Sequence, residues 1–299
     1  IVFNASAIAL MILSVFWKIG KFPDLYTYCE TDGEIDYSKL PKCLNQSANA
    51  YQVYVQNLTG LAFMISNQLS ISASINVILQ VPLQSPVMQR ELANKMYSPS
   101  AYFLGRYFSN ILIQILYPMI MILILFWLID IDTSSENFWW LVAFGNLSNF
   151  IFCGQGYFLG IMVLDESNVK IVNFMFIMLF ISSNGVLCNL TNANWFIKFL
   201  SKISPTRFNC EGFLRRVIGN IPDWSCKPPE SGPVTPPKPC ENGGDPKFHQ
   251  NATMINPEYL LNELGYTWGD EYCIKALVVW FFVWIFLCLA GINWKFRKL

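Results

Sequence analysis

Charge is what this sequence lacks most. Of its 299 residues only 13% are charged, against about 25% in an ordinary water-soluble domain. The 20 Lys+Arg match the 20 Asp+Glu, so the formal net charge is zero. That balance excludes a generally basic nucleic-acid binder and a highly charged disordered chain. Histidine is nearly missing too: His249 is the only one, in a Pro-rich stretch, and reads as a surface residue. General-base chemistry by histidine and a His-rich metal centre are thereby disfavoured. No Cys-x-x-Cys pair exists to hold zinc, so no metal site is expected. Neither Gly-x-x-x-x-Gly-Lys-Ser/Thr, whose backbone amides would surround phosphates, nor His-Glu-x-x-His nor Gly-x-Ser-x-Gly occurs. No soluble catalytic constellation is visible.

Apolar residues are abundant: 54% of the chain, with 24 Phe and 10 Trp. Too few charges remain to coat a water-facing surface of this size, so lipid is the expected solvent. A helix needs about 20 mostly apolar residues to cross a bilayer core. Six segments qualify: Ile1 to about Ile19, Leu58–Val81, Tyr102–Ile129, Phe138–Leu164, Ile171–Leu190 and Cys273–Ile292. The fold class expected is therefore an all-α membrane protein with six transmembrane helices. Pro118 predicts a kink in the third. The chain opens on Ile1 inside an apolar run and is read as part of a longer protein. A signal peptide is the rival reading, weakened by the absence of a basic leader and a small-residue cleavage site.

Lys and Arg near span ends set orientation. Arg90, Lys95 and Arg106 follow the second span, Lys170 the fourth, and Lys295, Arg297 and Lys298 the sixth. The turn after the third holds Asp130, Asp132 and Glu136 and no basic residue. Even-numbered spans are thus expected to end in the cytosol, with outer loops at about 20–57 and 191–272 and a cytosolic turn at about 82–101. That turn mixes charges with apolar residues and reads as a short amphipathic helix along the inner face. Sequons at Asn45 and Asn251 fall in the outer loops and are expected to be glycosylated. Cys29 and Cys43 share the first outer loop, and Cys226 and Cys240 the second, each pair 14 residues apart. In an oxidising space, pairing within each loop is the leading reading, with a closure gain of roughly 3 kcal/mol. Free thiols or a bridge between subunits are the alternatives. Residues 222–246 carry eight of the 16 prolines and are expected to form an irregular cap held by the Cys226–Cys240 bridge.

Polar residues inside spans are more telling. Ser66, Ser70 and Ser74 stack on one side of a helix, and Ser72, Asn76 and Gln80 form a second row. One reading is a helix lining a wet or amphiphile-binding cavity; the other is helix–helix packing through small polar groups. Different rows can serve each. The fifth span is apolar and aromatic, then breaks at Ser182-Ser-Asn-Gly185. Its residues fit a lipid-facing helix, or an apolar wall for a greasy ligand with a constriction at Val186 and Leu187.

Four collinear stretches carry a family likeness. They are Gln56-Asn-Leu-Thr-Gly60 leading to Asn67-Gln68; Gln89-Arg90-Glu91 with Met96-Tyr97 and Ser100-Ala-Tyr-Phe-Leu-Gly105; Gly185-Val-Leu-Cys-Asn-Leu190 with Trp195 and Ile203-Ser-Pro-Thr-Arg-Phe208; and Glu258-Tyr-Leu with Trp268-Gly. In these the chain resembles the membrane half of ABC transporters of the G (white) subfamily, from about residue 51 to 299. The resemblance implies an ABC-2, type V exporter-like arrangement. In it, ATP and Mg2+ sit on a nucleotide-binding domain outside this chain, and a second membrane half completes a dimer. A central cavity between the second and fifth spans works by alternating access. It implies Phe63, Asn67, Ser70, Phe174, Met178 and Ile181 as cavity positions, Val186 and Leu187 as a plug, and Arg90 and Glu91 as coupling to the nucleotide domain.

The departures are informative. Ser70 replaces the aromatic clamp of a multidrug exporter in this family, Val186 replaces a plug leucine, and the first outer loop is longer. The implied function is export of lipids, sterols or other amphiphiles from a plasma or other secretory-pathway membrane. The implied partners are membrane lipids, the amphiphilic substrate, the second membrane half and the nucleotide domain; nucleic acid is not among them. The alternative is a non-transporting scaffold or receptor subunit with bridged outer loops.

Overall fold

The computed structural model describes residues 12, 30–31, 34–35, 40–129, 135–163, 165–188, 190, 193–219, 224–225, 254–255, 261–262 and 264–296. Eight helices account for most of them: α1 Leu40–Ala93, α2 Pro99–Ser109, α3 Ile111–Ile129, α4 Ser135–Met162, α5 Glu166–Ser182, α6 Trp195–Ile203, α7 Pro205–Ile218 and α8 Asp270–Phe296. The other regular pieces are two antiparallel pairs of two-residue strands. These are β1 Glu30–Thr31 with β2 Glu34–Ile35, and β3 Trp224–Ser225 with β4 Met254–Ile255. The second pair brings together the chain on either side of the Pro-rich segment.

Three stretches are long and apolar enough to cross a membrane: Val53–Ala93, Pro99–Phe126 and Asp270–Lys295. They coincide with the second, third and sixth expected spans. Helix α4, with 28 residues, occupies the fourth but carries Asn137, Asn146, Asn149 and Gln155 among its apolar residues. Helix α5, with 17 residues, occupies most of the fifth. The first expected span lies outside the described residues apart from Ile12.

Several boundaries differ from expectation. The first outer loop was placed at 20–57, yet α1 is already helical from Leu40. No Gly or Pro interrupts residues 42–59, so nothing in the backbone stops the helix continuing upward from the span. At its other end α1 passes through Pro82 and Pro86 to Ala93, and no separate amphipathic helix fills the cytosolic turn. Each proline removes one donor, but the turns on either side carry the helix across. The third span divides at Asn110 rather than at Pro118, which lies inside an unbroken α3. Asn110 Nδ2 donates to the Tyr157 hydroxyl at 3.1 Å, and this lateral bond holds the side chain off its own helix.

Helix α4 is the hub, packed against α1, α3, α7 and α8. Its glycines permit that closeness. A Cβ on Gly156 would lie 2.9 Å from the carbonyl oxygen of Ser74, and one on Gly160 2.8 Å from Val81 Cβ. Small residues at membrane-helix seams let backbones approach in this way. The tightest seam joins α4 to α7, where a Cβ on Gly212 would stand 2.3 Å from the Phe144 ring.

Gly212→Ala is therefore expected to lower the thermal midpoint of the detergent-purified protein, by an overpacking cost of about 1–3 kcal/mol. Adding Phe144→Leu should recover part of the loss. A Gly212→Ala protein as stable as wild type would contradict this seam.

A candidate substrate wall and its buried polar frame

The two serine rows of α1 separate by role. The first is wholly buried and bonds across helices. Ser66 Oγ accepts from Asn209 Nδ2 of α7 at 2.7 Å. Ser70 Oγ lies 3.1 Å from Ser148 Oγ of α4. Ser74 Oγ donates to Asn173 Oδ1 of α5 at 2.6 Å. Successive turns of α1 are thus tied to three different helices. In the second row, Gln68 Nε2 donates to Ser72 Oγ along α1, while Asn76 and Gln80 are exposed. Packing explains the first row; in the second Ser72 is covered as well, and only Asn76 and Gln80 face outward.

This division redistributes the residues implied as cavity positions. Ser70 is fully covered in the α1–α4 seam, so it does not face an outer wall. Phe174 and Met178 are 60% and 42% exposed on α5, beside Met175, Phe176 and Leu179, which are exposed as well. Phe63 is half-buried and Met64 exposed one turn above Asn67. Asn67 itself is covered: its Nδ2 donates to the Phe63 carbonyl at 2.8 Å, and its Oδ1 has no partner among the described residues. Ile181 is also buried. The bare residues are therefore Phe174, Met178 and their neighbours on α5, and on α1 Met64 with the half-buried Phe63. Asn67 and Ile181 lie behind it.

The break after α5 has a physical cause. Three hydroxyls converge on the Phe180 carbonyl: Ser183 Oγ at 2.9 Å, Thr206 Oγ1 at 2.7 Å and Ser204 Oγ at 3.3 Å. They join the Ser183 backbone N–H, 3.2 Å away, on a carbonyl at the helix end. Gly185 then takes φ +101°, with Tyr266 Cε1 only 2.8 Å from where a Cβ would be. Both the left-handed backbone and the ring demand glycine. The Tyr266 hydroxyl donates to the Asn184 carbonyl at 2.7 Å, and Val186 N–H donates to Asn184 Oδ1 at 3.0 Å. Val186 and Leu187 thus sit on an anchored turn, with Leu187 64% exposed. The helix ends at Ser182, so the expected span to Leu190 is shortened.

Helix α7, placed within an outer loop from sequence, is instead a core element with charged residues inside. Arg207 donates to Ser201 Oγ at 2.7 Å and to the Gly265 carbonyl at 2.9 Å, and its guanidinium lies 3.9 Å over the Trp268 ring. Glu211, with no exposed side-chain surface, accepts from Trp268 N–H at 2.6 Å. It pairs with Arg207 at 3.9 Å and Arg215 at 3.4 Å. Arg215 also donates to the Tyr266 carbonyl. Arg216 meets Asp270 at 2.8 Å and the face of Trp140 at 4.4 Å. Sequence reasoning missed this frame. Its one local signal was Arg207-x-x-x-Glu211-x-x-x-Arg215, the spacing of ion pairs along a helix.

Burial pushes the Glu211 carboxyl up to about 7, against the downward pull of Trp268 N–H, Arg207 and Arg215. Burial likewise draws Arg207 below its ordinary value. At the opposite end of α1, Arg90 is exposed and Glu91 accepts from the Tyr97 hydroxyl. Tyr97 stacks on Tyr102 at 5.7 Å, closing the turn that leads into α2. Cys29, Cys43, Cys226, Cys240, Asn45 and Asn251 lie outside the described side chains. Among the described residues the cysteines are free, and no metal-binding cluster occurs.

The family model for ABC-2 type transporters matches residues 1–215. This chain belongs to that family. Relatives of known name include the White proteins of Ceratitis capitata and Drosophila melanogaster, 24% identical over 163 residues and 25% over 166. Each match covers 54% of this chain and 24% of the relative. ABC transporter G family member 21 of Arabidopsis thaliana is 20% identical over 132 residues, 44% of this chain and 20% of that protein. The chain thus spans about a quarter of the length of the relatives it matches. Membership and the three apolar helices make it an integral membrane protein.

The raised Glu211 carboxyl sets a direction for pH dependence. The folded state binds this proton more tightly than the unfolded chain, so stability falls as pH rises from about 4.5 to about 7. The loss is up to about 3 kcal/mol. Thermal midpoints of purified protein should decline across that window, and Glu211→Gln should flatten the decline. An equally steep slope in Glu211→Gln would contradict the assignment.

Proposed function

We propose that this chain is the membrane half of an ATP-driven exporter of lipids, sterols or other amphiphiles, paired with a second half across the α1–α5 wall. The carrying observation is the exposed apolar surface of α5, with Phe174, Met175, Phe176 and Met178 bare, beside α1 and its buried, unpartnered Asn67 Oδ1. An acceptor left bare inside a protein costs about 1–3 kcal/mol. Its retention behind an apolar wall suits a ligand that is mostly greasy with one donor. In this reading the bundle has six spans, with α4 and α5 as the fourth and fifth and the run before Ile19 as the first. Even-numbered spans end in the cytosol.

The chain lacks a phosphate-binding loop sequence, so its own residues do not form a nucleotide site. ATP and Mg2+ belong on a nucleotide-binding domain outside these residues, and their role there is to drive closure. This chain supplies the receiving end. Arg90 is exposed on the last turn of α1, and Glu91 is locked to Tyr97, so a push on this turn is passed along α1. Alternating access then moves the wall while the Phe180 and Gly185 anchors hold the Val186–Leu187 plug. Pairing of Cys29 with Cys43 and of Cys226 with Cys240, and glycans at Asn45 and Asn251, complete the outer face in this account. The family relationship to White and plant G-family proteins supports the reading.

ATPase assays on the reconstituted transporter test it. Asn67→Ala should shift the concentration of amphiphile giving half-maximal stimulation by about threefold to tenfold, with surface expression intact. Arg90→Ala or Glu91→Ala should leave hydrolysis running while vesicle uptake falls. Compound-insensitive hydrolysis with no vesicle uptake in the wild type would overturn the proposal.

A further inference from the structure

A small, partly open cleft lies between α1, α2, α4 and α8, away from the α1–α5 wall. It is at the end of the bundle that carries Arg90, Lys95, Lys170 and Lys295. Its wall is apolar, with Met88, Phe103 and Ile292 each buried and Val81 and Ile161 beside them. Four polar residues also line it: Gln84, Tyr102, Arg106 and Tyr157. Tyr157 accepts from Asn110 at 3.1 Å, which leaves its own proton free to donate.

Arg106 is the unusual member. It lies within the apolar stretch that starts at Pro99, seven residues in, or about 10 Å of helix. Its guanidinium stays charged at any working pH. It makes no ion pair or side-chain hydrogen bond among the described residues. A charge at that depth is costly unless an anion or water meets it. No Asp or Glu lines the cleft among the described residues; Glu91, the acidic group nearest Tyr102, is taken by the Tyr97 hydroxyl. In a bilayer the anion that reaches an acyl-lined cleft is a lipid headgroup. A choline headgroup would bring a second cation next to Arg106 with no carboxylate to receive it; an acidic headgroup would not.

We propose that this cleft is a site for an anionic phospholipid, its phosphate held by Arg106 with Tyr102, Tyr157 and Gln84 as further donors. One acyl chain follows Val81, Met88, Phe103 and Ile292. Occupancy would brace α2 against α8, which Ser100 Oγ and Asn293 at 3.0–3.1 Å and the rings of Tyr107 and Phe281 at 6.3 Å already join. The site depends on membrane embedding alone and stands whether or not the chain transports.

Native mass spectrometry of the intact protein, purified from nanodiscs of mixed phosphatidylcholine and phosphatidylglycerol, reads it directly. The wild type should retain phosphatidylglycerol over phosphatidylcholine by about tenfold, the scale of one charge-assisted contact. Arg106→Gln should lose that preference and Arg106→Lys keep part of it. Lys95→Asn, which removes a charge at the same end, should leave it intact, and inorganic phosphate should not displace the lipid. Equal retention of both lipids by the wild type would overturn the proposal without any variant. So would a preference surviving Arg106→Gln, an equal loss in Lys95→Asn, or displacement by phosphate alone.

Discussion

Inside a bilayer, polar groups find partners in protein or go without, because water is not there to serve them. The three serines that fasten α1 to α7, α4 and α5 meet that condition along a single stripe of one helix. Asn209 answers Ser66, Ser148 answers Ser70 and Asn173 answers Ser74. Lipid tails are as apolar as leucine, so hydrophobicity alone gives these helices no reason to choose one another. Paired polar groups and glycine-permitted closeness supply the choice. Once α1 is fixed in rotation, its other face is fixed as well, and with it the exposure of Met64 and the half-burial of Phe63.

Burial makes the same demand of the charges on α7, which lies outside the three apolar spans. Glu211 is closed off from solvent and ringed by Arg207, Arg215 and Trp268 N–H. Removing one partner from such a group leaves an uncompensated charge and costs several times more than an exposed pair is worth. The frame therefore couples the return segment at 265–270 to the bundle. Through Tyr266 it also sets the turn at Asn184 and Gly185. The plug positions and the buried charges are one mechanical unit: Tyr266 donates to Asn184 and accepts from Arg215.

The apolar runs were legible in part: Val53–Ala93, Pro99–Phe126 and Asp270–Lys295, each long and apolar enough to cross a membrane, coincide with the second, third and sixth expected spans. So were the motifs that carry the family likeness. What was hidden depends on distance in sequence. Helix α7 reads as a water-facing loop because Arg207, Glu211, Arg215 and Arg216 look polar until Gly265, Trp268 and Asp270 come back, more than fifty residues later, to receive them. Ser70 looks like a wall residue until Ser148 covers it. The third apolar run looks like one helix, whereas it divides at Asn110, whose side chain donates to Tyr157 of α4. In each case a partner from another helix decided the outcome, and local pattern could not name it. The Cys29–Cys43 and Cys226–Cys240 pairings fall beyond the described side chains.

The central claim is that the bare side of α5 meets a second membrane half. Replacing Phe174 with cysteine in the full-length protein and treating native membranes with a short thiol cross-linker measures this most directly. The account predicts a covalent adduct the size of two membrane halves, lost when the cysteine is moved to Leu112, exposed on α3. An adduct equally strong from Leu112, or none from Phe174 in fully expressed protein, would contradict it.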